Sequence, residues 1–397
     1  MFQAVHTDRS GRVFVAADYG AAGLDGPTAA ALERAVPLPP QAEVVPLADR
    51  GAVGIDRRGL PRSLGAARWA LGAIVPAGYV RTHLPAVDTA TGAAALEPLP
   101  YAAVAADSRG ELVVGALRIG DARPAAAIDV GDAINARLRA EPSNRLLRQL
   151  ARCARDYKCS AARNAFIGRG DCALPLGAPA TDGAAPTVAL RRRDERAPLE
   201  PVALRVGAAD AAAVGIAHLA GGGESVSFGQ ACEGEPLERI RDVADVIARI
   251  RGATDRGTIV LRTSGSSAAA LGRAADAGLD RVAVPIAAAH GPTYERVHRP
   301  SGYRWADVRA TLREAAARRL ATTVELLTLP GLTDRATEAA ALLALLGELP
   351  SGTELVLAAL AADPYALLAR VTGGETNGMD ALVERLRADA AHVRLAA

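Results

Sequence analysis

The chain has 397 residues, half of them hydrophobic, which is enough for a large buried core and for about two to three domains of ordinary size. Its formal net charge is +2 with basic and acidic residues interspersed, and this argues against the clustered basic face of a nucleic-acid-binding protein. No apolar stretch reaches the ~18 residues of a membrane span. No secretory signal is visible, and four cysteines are too few for a disulfide framework. We therefore expect a reduced, cytoplasmic protein with neither nucleic-acid nor membrane partners.

Residues 1–140 predict a mixed, β-rich N-terminal domain. Strand-like runs occur at 12–16 and 111–115, and prolines recur often enough to disfavour long helices. Residues 141–200 predict one helix, which begins near Asn144 and ends near Arg155. A long loop follows from Gly168, because the chain there is rich in glycine, alanine, proline and charged residues.

Residues 201–397 show an alternation of strand and helix patterns. Apolar residues at steps of three and four predict helices around 237–250, 305–320 and 342–346. The strands lack a clean polar–apolar alternation, which is typical of parallel strands covered on both faces. The predicted fold class is therefore α/β, with a parallel sheet or barrel. The predicted strands are 225–229, 258–262, 281–286, 323–329 and 354–358.

Five segments of this part resemble, in order and in spacing, motifs of the radical S-adenosylmethionine (radical SAM) superfamily. Residues 226–236 resemble the second-strand motif of one subgroup, Gly-Gln-Gly-Cys-Glu-Gly-Glu-Pro. The other four resemble the end of the third strand, the turn into the fourth, the segment after the fourth, and the exit of the fifth. They are residues 258–265, 275–282, 292–300 and 329–334. The match covers about 203–362, and residues 144–170 resemble the segment that precedes the barrel in that subgroup.

The resemblance implies a partial (β/α)6, TIM-like barrel of the radical SAM type. In the family, three cysteines spaced Cys-x3-Cys-x2-Cys follow the first strand and hold a [4Fe–4S] cluster, whose fourth iron binds S-adenosylmethionine (SAM). The matching loop of this chain, about 178–188, has Thr181, Ala185 and Val188 at the three cysteine positions. Alanine and valine cannot ligate iron, and a threonine hydroxyl is a poor ligand for this soft site. We therefore expect that the usual cluster does not form.

SAM remains the candidate cofactor, because two segments match places where the family contacts it. The six candidate residues are Gly234, Glu235, Pro236, Thr263, Ser264 and Gly265. The first three resemble the family's Gly-Gly-Glu-Pro motif, which binds the ammonium of SAM, and an ordinary strand-to-helix turn is the competing interpretation. The last three lie at a predicted strand end, near where the family binds the nucleoside, and helix capping by serine is the competing interpretation.

Three functional interpretations stay open. The protein is a pseudoenzyme that has lost its cluster and acts as a binding or partner subunit, for example of an active radical SAM relative. Alternatively, it is an active radical SAM enzyme with displaced ligands at Cys153, Cys159 and Cys172, although free cysteines are commonly buried and inert. In the third interpretation it is a cluster-free enzyme that binds SAM or another ligand at the barrel mouth. His290 and His298 flank the fourth-strand exit without the grouping of a zinc site.

Overall fold

The computed structural model describes residues 2–26, 28–120, 129–177, 206–229, 234–371 and 374–397. The chain forms antiparallel β-structure up to Arg118 and parallel α/β structure after it. The predicted fold class, with a β-rich N-terminal part and a partial TIM-like barrel, is confirmed. No helix in the described ranges is long and apolar enough to cross a membrane.

The N-terminal part is built on one large antiparallel sheet. The strands of the N-terminal part as a whole are β1 (Gln3–Thr7), β2 (Val13–Leu24), β3 (Ala29–Ala31), β4 (Val36–Pro37), β5 (Glu43–Ile55), β6 (Pro61–Ser63), β7 (Trp69–Ile74), β8 (Tyr79–Arg81), β9 (Leu84–Pro85), β10 (Val87–Thr89), β11 (Tyr101–Ala106), β12 (Leu112–Val114) and β13 (Ala116–Arg118). Eleven strands share this sheet, while β8 pairs with β13 in a second, two-stranded one. The long strands β2 and β5 each pair with several neighbours, which ties the sheet together.

Three helices lead from this sheet to the parallel one: α1 (Gly131–Ala140), α2 (Arg145–Asp156) and α3 (Ser160–Ile167). The sequence predicts only α2, and its bounds are close to the predicted ones. Asn144 fixes the start of α2, because its side chain accepts a hydrogen bond from the backbone N–H of Leu147 at 3.2 Å. The helix buries leucines on one side and exposes arginines on the other.

Among the described residues, the parallel sheet has seven strands in chain order, separated by helices on its outer side. The strands are β14 (Asp171–Ala173), β15 (Ser225–Phe228), β16 (Thr258–Arg262), β17 (Arg281–Ile286), β18 (Ala321–Thr328), β19 (Glu354–Ala359) and β20 (Arg394–Ala396). The helices are α4 (Ala208–Ala220), α5 (Ile240–Ala253), α6 (Ala268–Asp276), α7 (Gly291–His298), α8 (Trp305–Ala317), α9 (Ala336–Gly347), α10 (Pro364–Leu368) and α11 (Met379–Asp389). Within the described ranges, β14 and β20 each pair with one neighbour, so the barrel is open.

Strand β14 corrects the prediction of an unbroken loop from Gly168. It pairs in parallel with β15, opposite Ser225 to Ser227, and so forms the first strand of the sheet. With three residues it is too short for a hydrophobic period to reveal it.

The two faces of the parallel sheet differ in composition. Alternate residues such as Val226 and Ile259 pack against the helices in the main core. Between them, on the inner face, polar residues that pair with one another occur beside apolar ones such as Val260 and Ala283. Arg262 of β16 reaches across β17 to Glu325 of β18 at 2.6 Å, and both side chains are largely buried. The inner face thus combines paired charges with small and apolar side chains.

Candidate functional site at the carboxyl ends of the parallel strands

The carboxylate of Glu235 joins the ends of β15 and β16. Its Oε1 accepts hydrogen bonds from Thr263 Oγ1 at 2.5 Å and from the backbone N–H of Leu237 at 2.9 Å. Its Oε2 accepts from the backbone N–H of Ser264 at 2.8 Å. The residue is 5% exposed, and burial raises the pKa of Glu235 while these hydrogen bonds oppose the rise. The structure therefore brings three of the predicted site residues into direct contact.

Gly229 allows these two strand ends to approach each other. Its φ is +83°, and a Cβ atom placed on it would lie 1.7 Å from the carbonyl oxygen of Arg262, so glycine is required there. After Gly234, which also has a positive φ of 79°, Glu235 caps a 3₁₀ turn that begins at Pro236. Locally this is the strand-to-helix turn of the competing interpretation, with the glutamate side chain used as its cap.

The backbone of Gly265 is held by hydroxyl groups on both sides. Its N–H donates to Thr263 Oγ1 at 3.1 Å, and its carbonyl accepts from Thr311 Oγ1 at 2.7 Å. Ser267, and not Ser264, caps α6 by accepting a hydrogen bond from the N–H of residue 270 at 3.2 Å. The buried hydroxyl of Ser266 has no hydrogen-bond partner among the described residues.

Glu338, which the sequence does not single out, organises the exit of β17. Its Oε2 accepts from the backbone N–H groups of Ala289 and His290 at 2.9 and 3.0 Å. The side chain is 2% exposed, and within the described ranges its Oε1 has no partner. His290 Nδ1 lies 3.1 Å from Thr293 Oγ1. Glu338 thus fixes the backbone beside His290.

His298 has a structural environment. It is buried, its Nε2 accepts from the backbone N–H of Ala287 at 2.9 Å, and its ring stacks on Tyr294 with centroids 4.0 Å apart. These contacts hold the end of α7 against the end of β17.

Asp334 is a fully buried carboxyl at the exit of β18. Its Oδ1 accepts from the backbone N–H of Gly331 at 2.8 Å, whereas Oδ2 has no partner in the part of the chain that the structure describes. Burial raises the pKa of Asp334 to about 7, and the charge of Asp25 from the N-terminal part adds to the rise. The group is therefore partly protonated near neutral pH.

The N-terminal part covers the carboxyl ends of β18 and β19. The buried guanidinium of Arg81 donates to the carbonyl oxygens of Tyr101, Thr328 and Leu360 at 3.1, 3.1 and 2.8 Å. Burial lowers the pKa of Arg81 to about 9, which still leaves it charged at neutral pH. Leu84 packs beside it in a cluster with Leu360 and other residues of the strand ends. The chain itself therefore closes this side of the barrel mouth.

The predicted cluster loop, with Thr181, Ala185 and Val188, lies outside the described residues. Cys172 is buried in β14 and Cys153 in α2, while Cys159 is half-buried at the start of α3. No three histidine, cysteine, aspartate or glutamate side chains of the described residues are placed to share a metal ion. The donor set of these parts of the chain therefore does not fit an iron–sulfur cluster.

Comparison with known proteins finds similarity to solved structures. No family model matches the chain, and no curated protein matches it. HydG, a maturase of the [FeFe]-hydrogenase, is 12% identical with a TM-score of 0.38, over 67% of this chain and 66% of that one. A radical SAM methyltransferase from Sphaerobacter thermophilus is 15% identical with a TM-score of 0.37, over 56% and 64%. Methylornithine synthase (PylB) is 13% identical with a TM-score of 0.35, over 67% and 85%. The chain spans just under two thirds of the first two structures, and its similarity to all three is distant.

Proposed function

We propose that this protein is a radical-SAM-like barrel protein that has lost the usual [4Fe–4S] cluster and acts as a binding or partner subunit. The observation that carries the proposal is the loop at 178–188, which contains no cysteine. Thiolates are the ligands of such a cluster, and Thr181, Ala185 and Val188 supply none. Five segments after the loop resemble barrel motifs of the family, and residues 144–170 before it resemble the segment that precedes the barrel, which favours a protein that retains the shape of the family without its metal chemistry.

The hydrogen bonds of Glu235 support the proposal. Both oxygens of its buried carboxylate already accept donors from the chain, including Thr263 and Ser264. A carboxylate offers about four acceptor positions, so the ammonium group of SAM would compete for what remains in a site with little solvent access. We therefore expect SAM to bind weakly or not at all.

The residues of the N-terminal part that cover the ends of β18 and β19 also support the proposal. Arg81 and Leu84 occupy the carboxyl side of these strands, which is the side where barrel enzymes bind their ligands. A barrel closed there by its own chain is better suited to present its outer surfaces than to hold a substrate.

Anaerobic reconstitution with iron and sulfide tests the loss of the cluster. We expect purified protein to bind fewer than about one iron per chain and to lack the absorption near ~400 nm of thiolate-ligated clusters. About four irons per chain would overturn the proposal. In that case, serine replacements of Cys153, Cys159 and Cys172, made one at a time, would each lower the bound iron if these residues are displaced ligands.

Calorimetric titration with SAM and S-adenosylhomocysteine, without iron, tests whether the protein binds SAM. We expect no heat of binding at ligand concentrations of about 100 μM. A dissociation constant of about 1 μM, which corresponds to ~8 kcal/mol, would instead favour a cluster-free SAM-binding enzyme.

The partner role is tested with a radical SAM relative from the same organism that keeps its three cluster cysteines. We expect light scattering to show a complex of the two purified proteins, and the turnover of the relative to change on mixing. If neither is observed, the partner role is refuted.

A further inference from the structure

Helix α2 gathers exposed arginines on one face. We infer that this face binds the phosphate backbone of a single-stranded nucleic acid, a role that goes beyond the proposed function. The arginines are Arg145, Arg148, Arg152 and Arg155, and all four are exposed. They follow one another at steps of three and four, so they share one side of the helix over a length of ~15 Å. The opposite side is anchored in the main core by leucines, so the position of the basic face is fixed.

The charge around α2 is far from balanced. Residues 137–169 contain nine basic and two acidic residues, which gives the segment a formal charge of +7 in a chain whose total is +2. The basic residues are Arg137, Arg139, Arg145, Arg148, Arg152, Arg155, Lys158, Arg163 and Arg169. The two acidic residues, Glu141 and Asp156, lie 2.8 Å from Arg137 and 3.6 Å from Arg152. The net charge of the whole chain hides this cluster, and the expectation that nucleic acid is not a partner rests on that net charge.

The arginines of the face keep donors for a ligand. Arg148 donates to the carbonyl oxygen of Pro142 and Arg155 to Asn135 Oδ1, both at 2.7 Å. Each guanidinium carries five N–H donors in a planar fork, so these contacts orient the side chain and leave further donors for a phosphate group. Clustering of this kind along one helix is the electrostatic footprint of a nucleic-acid-binding surface.

The composition of the face favours a nucleic acid over a protein partner. The core of a protein interface is apolar and depleted in charge, whereas interfaces with nucleic acids are polar and strongly positive. The large hydrophobic side chains that are exposed in the described residues are Val13, Val15 and Leu60, all in the N-terminal part. Tyr157, directly after α2, is half-buried with its ring centroid 5.9 Å from the guanidinium of Arg152. The ring packs against the main core with the guanidinium of Arg152 over it, and single-strand binders combine aromatic rings with arginine in this way, which favours a single strand over a duplex.

Fluorescence anisotropy with labelled single-stranded RNA and DNA of about 20 nucleotides tests the inference. We expect the full-length protein to bind at ~50 mM salt, with log Kobs falling by about 0.7 per decade of salt for every phosphate contacted. A duplex of the same length should bind more weakly than the single strands, and tighter binding of the duplex would overturn the inference of a single strand. Replacing all four arginines by glutamine should weaken binding at least tenfold and make the salt dependence shallower by about 0.7 for each arginine. Replacing them by lysine should preserve most of the salt dependence.

A matched control removes the same number of charges from arginines that are paired elsewhere. Arg309 and Arg313 pair with Glu348, Arg249 with Asp245 and Arg385 with Asp389. Their replacement by glutamine should leave binding within about twofold of the wild type, because these charges are already partly neutralised. Since Arg148 and Arg155 also hold Pro142 and Asn135, the double variant R145Q/R152Q provides a second test that leaves those contacts intact. Equal effects of the control and the α2 variants, or no binding of the wild type at ~50 mM salt, would overturn the inference. Tighter binding of poly-glutamate than of the oligonucleotides would overturn it in favour of an acidic protein.

Discussion

Arg81 Nη2 lies 2.8 Å from the carbonyl oxygen of Leu360, in a position that solvent does not reach. The same guanidinium holds the carbonyl oxygens of Thr328 and Tyr101. Arg81 belongs to β8 of the N-terminal part, whereas Thr328 and Leu360 lie at the ends of β18 and β19. One buried cation therefore fastens the antiparallel part to the carboxyl edge of the parallel sheet.

We predict that Arg81→Met lowers the free energy of unfolding by about 3 kcal/mol, because the carbonyl groups of Thr328 and Leu360 each lose a hydrogen bond in a place where water cannot replace it. Urea unfolding followed by circular dichroism measures the change. The matched control is Arg62→Met, since Arg62 is exposed and pairs with Asp56 at the surface. That control should change stability by no more than about 0.5 kcal/mol. Equal effects of the two substitutions would show that Arg81 does not join the two parts.

The sequence predicts the parallel sheet best where strands are long and bounded by turns. The predicted bounds of β16 and β17 coincide with the observed ones. The prediction fails for β14, whose three residues carry no period, and it does not address the pairing of side chains on the inner face. The pairing of Arg262 with Glu325 joins residues 63 positions apart, and periodicity contains no information on such a contact.

The candidate site was accessible to sequence reasoning only in part. Glu235 and Thr263 could be expected to meet, because the carboxyl ends of neighbouring parallel strands share one edge of the sheet. Arg81 and Glu338 could not, since their roles depend on which backbone groups surround them in three dimensions. The signal that they do give is a single Arg or Glu in a stretch that otherwise lacks Asp, Glu, Lys and Arg, at 75–87 and 336–347, since such a residue needs a partner if it is buried.

Glu235→Gln should destabilise the protein by about 2 kcal/mol. In the variant, an amide nitrogen replaces one of the two carboxylate oxygens and cannot accept a hydrogen bond. In one orientation of the amide the N–H of Ser264 loses its acceptor, and in the other Thr263 Oγ1 loses its acceptor, so a buried donor is left unsatisfied in both. Thermal unfolding measures the loss. Thr263→Val removes the other end of the contact and Thr263→Ser retains the hydroxyl. The effects of E235Q and T263V should therefore be non-additive, while T263S stays close to the wild type. Full additivity would contradict the contact.

Gly229→Ala should lower the free energy of unfolding by about 3 kcal/mol or more. The left-handed backbone alone costs an alanine ~1–2 kcal/mol, and the new Cβ would overlap the carbonyl oxygen of Arg262 unless the two strand ends separate. Gly252 in α5 is the matched control, because its added Cβ meets no atom within 4 Å. Gly252→Ala should stabilise the helix by about 0.5–1 kcal/mol. Differential scanning calorimetry measures the melting temperature of both variants. If the two substitutions shift it by the same amount, the close approach of Gly229 to the carbonyl oxygen of Arg262 is refuted.

Asp334 predicts a dependence of stability on pH. Its folded-state pKa of about 7 lies above the ordinary value of 3.8, so the folded protein holds this proton more tightly than the unfolded chain does. The stabilisation is complete below pH ~4 and is lost as the pH rises through 7, with a total for this group of about 4 kcal/mol. Asp334→Asn keeps an oxygen for the N–H of Gly331 and carries no charge, so its advantage in stability over the wild type should be about 4 kcal/mol at pH 8 and less than about 2 kcal/mol at pH 5. Urea unfolding of both proteins at the two pH values measures the difference. An equal pH dependence in wild type and variant would mean that Asp334 is ionised in the folded protein, with its second oxygen satisfied by a group such as a buried water molecule.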